Sequence, residues 1–111
     1  MNHSRWKLAR EQQAAQEYSE PPEVEAERAE IRLAMAFAKA VYDRRKALGL
    51  SQAQLAERAG LTQAKISRVE GADAVPTLPL LRRLATALDA SLTIDLGRDH
   101  EAVAFVARPA A

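Results

Sequence analysis

Two helix-start signals, Ser51 and Thr62, stand eleven residues apart with Gly60 just before the second. That spacing leaves room only for two short helices joined by a tight turn. Gln54 follows Ser51 by three positions, the capping-box pattern in which each side chain satisfies the other residue's orphan backbone amide. Leu55, Ala56 and Ala59 then form the buried face of the first of these helices, and Gly60 ends it. Thr62 caps the next helix, residues 63–70, in which Ile66 and Val69 are the inward positions. Gln63, Ala64, Lys65, Ser67 and Arg68 fall on its other faces and are free to meet a ligand.

The flanking segments carry their own periods. Upstream, Ile31, Ala34, Met35, Ala38, Val41, Tyr42 and Leu48 recur at helical spacing, which predicts a long amphipathic helix from about Glu23 to a C-cap at Gly49. Downstream, Thr77 caps a fourth helix with Pro79 tolerated in its first turn, and Leu81, Leu84, Ala85 and Leu88 form its apolar stripe. Beyond Asp89 the period changes to two: Leu92, Ile94 and Leu96 alternate with polar residues, turn residues follow at 97–100, and Val103 and Phe105 share one side of a second run. The pattern is that of a short C-terminal hairpin. A two-stranded hairpin is marginal in water, so it must pack on the helices or join the sheet of another chain.

Residues 1–26 are polar, with Trp6, Leu8 and Tyr18 scattered among charges and Pro21-Pro22 interrupting any helix that runs through them. Ser4 can cap a short helix from Arg5 to about Tyr18, but so few apolar residues need a partner to be stable. The expected organisation is therefore an N-terminal arm at residues 1–26, a helical domain at 27–90 and a hairpin at 91–111. The fold class is mainly α, with four main helices.

Composition bounds the function. At 111 residues the chain suffices for one domain with an arm, and 48% hydrophobic with 28% charged residues is the balance of a chain that folds in water. Cysteine is absent, which removes disulfides and thiolate metal sites and agrees with a reducing compartment. No apolar run reaches the roughly 20 residues of a membrane span, and residues 1–10 lack the core of a signal peptide, so a cytoplasmic location is expected. His3 and His100 are isolated, Glu23, Glu25 and Glu27 belong to a solvated run, and no glycine-rich phosphate loop exists. No metal, cofactor or catalytic site is expected, and the chain does not read as an enzyme.

The net charge of +1 hides an uneven distribution. Between residues 27 and 71, Arg28, Arg32, Lys39, Arg44, Arg45, Lys46, Arg58, Lys65 and Arg68 outnumber Glu27, Glu30, Asp43, Glu57 and Glu70, and the flanks are net acidic. A basic centre suits a surface presented to phosphates.

Residues 51–70, SQAQLAERAGLTQAKISRVE, closely resemble the Cro/C1 (Xre-type) helix-turn-helix family, over a region of roughly 47–88. The resemblance implies a five-helix-type repressor-like domain whose post-turn helix lies in the major groove of double-stranded DNA while the preceding helix crosses the backbone. By that resemblance Gln63, Ala64, Lys65 and Arg68 match base-facing positions, and Gln52 a backbone-contacting one. Gln can pair with adenine, Lys and Arg with guanine, and Ala can touch a thymine methyl. Thr62, Ser67 and Arg44 or Arg45 are expected at phosphates. Relatives place Gly two positions after the residue matching Glu70, whereas here Gly71 follows at once and Ala72 occupies the usual place.

The arm with Trp6-Lys7-Leu8-Ala9-Arg10, the single helix-turn-helix and the strand-forming end together resemble HigA-like antitoxins, including those partnered with RelE-type toxins. This implies a repressor that neutralises a RelE/HigB-like toxin and regulates its own operon, with Trp6, Leu8 and Tyr18 gripping the toxin. A homodimer on a palindromic operator is expected, held in part by Leu92, Ile94, Leu96, Val103 and Phe105. A stand-alone repressor without a toxin, and a protein-binding adaptor without DNA, are the competing readings.

Overall fold

In the computed structural model, which describes residues 21–98 and 100–109, four helices precede one antiparallel hairpin. They are α1 (Pro22–Ala47), α2 (Gln52–Ala59), α3 (Gln63–Glu70), α4 (Leu78–Ala87), β1 (Ala90–Leu96) and β2 (Glu101–Ala107). The mainly helical class with a C-terminal hairpin is the one expected. Trp6, Leu8 and Tyr18 lie outside the described residues.

Local chemistry starts each helix. Ser51 Oγ accepts from the Gln54 amide at 3.0 Å and Gln54 Oε1 accepts from the Ser51 amide at 2.8 Å, so the capping box closes in both directions. Thr62 Oγ1 accepts from the Lys65 amide at 3.1 Å and Thr77 Oγ1 from the Leu80 amide at 3.3 Å. Pro22 sits in the first turn of α1, where its missing N–H leaves no intrahelical bond unmade. As a result α1 runs across the division drawn between residues 26 and 27.

Val41, Leu55, Ile66, Leu84 and Leu88 are fully enclosed, so the core draws on all four helices. In the hairpin, Leu92 stands opposite Phe105 and Ile94 opposite Val103, which puts these four side chains on one face. β1 lies against α4 and β2 against α1, and Phe105 packs on the core. Arg32 Nε donates to Glu101 Oε1 at 3.1 Å and ties α1 to the start of β2. The two strands pair with each other within the chain.

One face was assigned differently from the sequence. Ile31, Met35 and Tyr42 are 55%, 59% and 45% exposed, while Phe37, absent from the expected stripe, is buried with Ala34, Ala38 and Val41. At about 100° per residue the buried set lies roughly 90° around the helix from Ile31, Met35 and Tyr42. A helix of 26 residues can carry two apolar stripes, and only one of them faces the core.

Two helices end in the same hydrogen-bond pattern on different residues. After α1, Gly49 donates to Lys46 O and Leu50 to Arg45 O, with Gly49 at φ +71°. After α3, Ala72 donates to Val69 O and Asp73 to Arg68 O, with Ala72 at φ +57°. Both are Schellman closures, but the second forces an L side chain into the left-handed region because its glycine stands one residue early. Nothing lies within 4 Å of a Cβ built on Gly49, so only backbone strain opposes a side chain there. We therefore expect Ala72→Gly to stabilise the fold by about 1 kcal/mol and Gly49→Ala to destabilise it by about as much. Urea midpoints with unchanged slope measure both.

Candidate nucleic-acid interface

Ile66 and Val69 anchor α3 by its inner face, at 0% and 6% exposure. The remaining positions, Gln63, Ala64, Lys65, Ser67 and Arg68, all face solvent. Among the described residues, Lys65 and Arg68 enter no ion pair, and Asp73 lines the same cleft as both. Thr62 Oγ1 accepts from the Lys65 amide, leaving its hydroxyl proton to donate elsewhere.

The far end of α3 is held by an ion pair. Arg45 of α1 donates from Nε to Glu70 Oε2 at 2.7 Å and from its terminal nitrogen to Glu70 Oε1 at 2.9 Å, with the two side chains 8% and 6% exposed. Arg45 also donates to Leu50 O at 2.8 Å. Gln52, the first residue of α2, donates to Glu70 Oε1 at 3.1 Å. The hydrogen bond to Glu70 holds the Arg45 guanidinium above its ordinary value, outweighing the burial that acts in the opposite direction. One carboxylate thus gathers α1, α2 and α3 at a single point.

This network bears on two of the expected phosphate contacts. Arg45 is buried and donates to Glu70 and Leu50 O inside the domain. Arg44 donates from Nε to Leu88 O at 2.9 Å and from its terminal nitrogen to Asp89 O at 3.2 Å, bracing α1 against the end of α4. Both arginines brace the fold, Arg44 at the C-cap carbonyl of α4 and at the Asp89 carbonyl, which also accepts from the Arg108 amide. Gln52 is half-buried, and its amide is partly engaged by Glu70.

Two clefts flank α3. One, of about 500 Å³, brings Lys46, Ser51, Gln52 and Gln54 beside Gln63. The other, of about 580 Å³, sets Lys65, Arg68 and Arg83 around a floor that includes Leu61, Val69 and Leu80. Arg83, on α4, was not anticipated. No signal in the sequence marks it; in the structure a Cβ at Gly60 would stand 3.3 Å from an Arg83 terminal nitrogen, so the turn glycine also makes room for this guanidinium.

The hairpin residues divide. Leu92, Val103 and Phe105 are half-buried within the chain, whereas Ile94 at 39% and Leu96 at 61% stay exposed.

A capped helix presented outward, locked by a second helix across a glycine turn, defines a helix-turn-helix domain. Residues 36–94, slightly more than half of the chain, match the helix-turn-helix domain family HTH_31, and the chain belongs to that family. No curated protein matches the chain. Among solved structures it is similar to an HTH_3 family transcriptional regulator from Vibrio cholerae, with 28% identity and a TM-score of 0.53. The similarity covers 55% of this chain and 34% of that one, so the shared region spans about a third of the regulator.

Removing one member of the buried pair leaves the other charge without a partner. Glu70→Ala should lower stability by about 3–5 kcal/mol, while the paired change Arg45→Met with Glu70→Leu should restore most of it. Chemical denaturation of the three proteins checks this.

Proposed function

We propose that this chain is a sequence-specific DNA-binding transcriptional regulator whose α3 reads base edges in the major groove. The observation that carries the reading is the outward set Gln63, Ala64, Lys65, Ser67 and Arg68, exposed on a helix whose inner side is locked by Ile66 and Val69. In this reading Gln63, Ala64, Lys65 and Arg68 contact bases, and Gln52, Thr62, Ser67 and Arg83 contact phosphates. One recognition helix spans only a few base pairs. Two copies, with α3 helices about 34–36 Å apart on a palindromic site, give the needed length. The exposed Ile94 and Leu96 of the hairpin offer such a second copy an apolar face.

The finer reading is an antitoxin that neutralises a RelE/HigB-like toxin and represses its own operon. It is supported by the likeness of the whole arrangement to HigA-type proteins and by Trp6, Leu8 and Tyr18 in an arm too poor in apolar residues to fold by itself.

Because Lys65 and Arg68 are exposed, their replacement should leave folding within about 0.5 kcal/mol of the parent. Lys65→Ala or Arg68→Ala should weaken binding to the DNA upstream of its own gene by about 1–3 kcal/mol relative to random duplex. Competition titration at fixed salt measures the difference, and unchanged affinity in both variants contradicts the assignment of α3. Deleting residues 1–20 should preserve DNA binding and abolish capture of a toxin co-expressed from the adjacent reading frame. Full repression with no toxin captured by the intact chain identifies a stand-alone repressor instead.

A further inference from the structure

The apolar stripe left outside the core on α1 has an order of its own. Val24, Ile31, Met35 and Tyr42 are 37%, 55%, 59% and 45% exposed. At about 100° per residue they fall within roughly 40° of one another, so they form one narrow seam along the helix. Their separations are seven, four and seven residues. Turned end for end, this spacing is unchanged: Val24 falls opposite Tyr42, and Ile31 opposite Met35. The four positions span about 27 Å along the helix.

Charge has the same polarity. The first third of α1 carries Glu23, Glu25, Glu27 and Glu30 against Arg28, and the last third carries Lys39, Arg44 and Lys46 against Asp43, with Arg45 already paired inside. Antiparallel apposition of two such helices sets acidic ends beside basic ends and opposes their dipoles, while parallel apposition sets like beside like. An isologous contact needs a surface complementary to itself about a two-fold axis, and this one is so in both spacing and charge.

We propose that α1 pairs antiparallel with α1 of a second copy of this chain, the two-fold axis passing beside position 33. The stripe is a patch of a few hundred Å² per copy, at the small end for a lasting contact, so the pairing is concentration-dependent. It is distinct from the hairpin face considered above and does not depend on DNA binding.

Sedimentation equilibrium of the full chain, its Met35→Glu variant and its Ile94→Glu variant tests this without DNA. Met35 is already exposed, so the first variant should keep the parental thermal melt by circular dichroism. Its dissociation constant for self-association should rise at least tenfold. Loss of association in Met35→Glu with retention in Ile94→Glu supports the seam. Retention in Met35→Glu with loss in Ile94→Glu overturns it in favour of the hairpin. A parent chain that stays monomeric at 100 micromolar also overturns it. Since the chain has no cysteine, orientation is read by mixing the single variants Ile31→Cys and Met35→Cys under oxidation. The mixed disulfide should exceed both homodisulfides, and predominance of the Ile31→Cys homodimer contradicts the antiparallel arrangement.

Discussion

The carboxylate of Glu70 closes α3 and receives one prong of the Arg45 fork on each oxygen, while Gln52 donates to Oε1. Three helices of the domain meet there. The core fixes how deeply α3 sits, through Ile66 and Val69, but an apolar contact is tolerant of small rotations. A bidentate, buried ion pair is directional, so it sets the angle at which α3 leaves the body of the domain. The price is desolvation of two charges, which the pairing and the additional bond from Arg45 to Leu50 O offset. Surface cations a few positions away have no such partner. Within one short stretch of chain, charge is paired inside the fold and left open to solvent outside it.

What the sequence made legible was local. Ser51, Thr62 and Thr77 announce helix starts because a side-chain oxygen satisfies an amide three residues on, and that chemistry needs nothing from the rest of the chain. The outward residues of α3 were legible for a related reason: a short helix with two inward apolar positions has little choice about what faces away. The inner partners of Arg45 were not legible, because it occupies a core position of the α1 period, following Val41 by one turn, where pattern reading expects an apolar residue. Its partner lies 25 positions along the chain. Arg83 was missed because α4 approaches α3 only in three dimensions.

The apolar period of α1 gave a stripe without saying which stripe faces inward. That choice belongs to the rest of the core, which encloses Val41 and leaves Met35 in solvent. The hairpin poses the same problem in another form. Alternation of Leu92, Ile94 and Leu96 specifies a strand with one apolar face, but not whether the covering layer comes from this chain. Phe105 answers it for the inner half, by packing on the core, and Ile94 and Leu96 remain uncovered.

For a regulator of the proposed kind, α3 is the surface that meets DNA. Backbone amide shifts of the labelled full chain, followed during titration with duplex DNA from upstream of its own gene, test this most directly. Residues 62–68, with Gln52 and Arg83, should move first and furthest, and the amides of residues 91–98 should move little. If the largest shifts fall on the hairpin or on the first turns of α1 while α3 stays still, the DNA-facing surface has been misassigned.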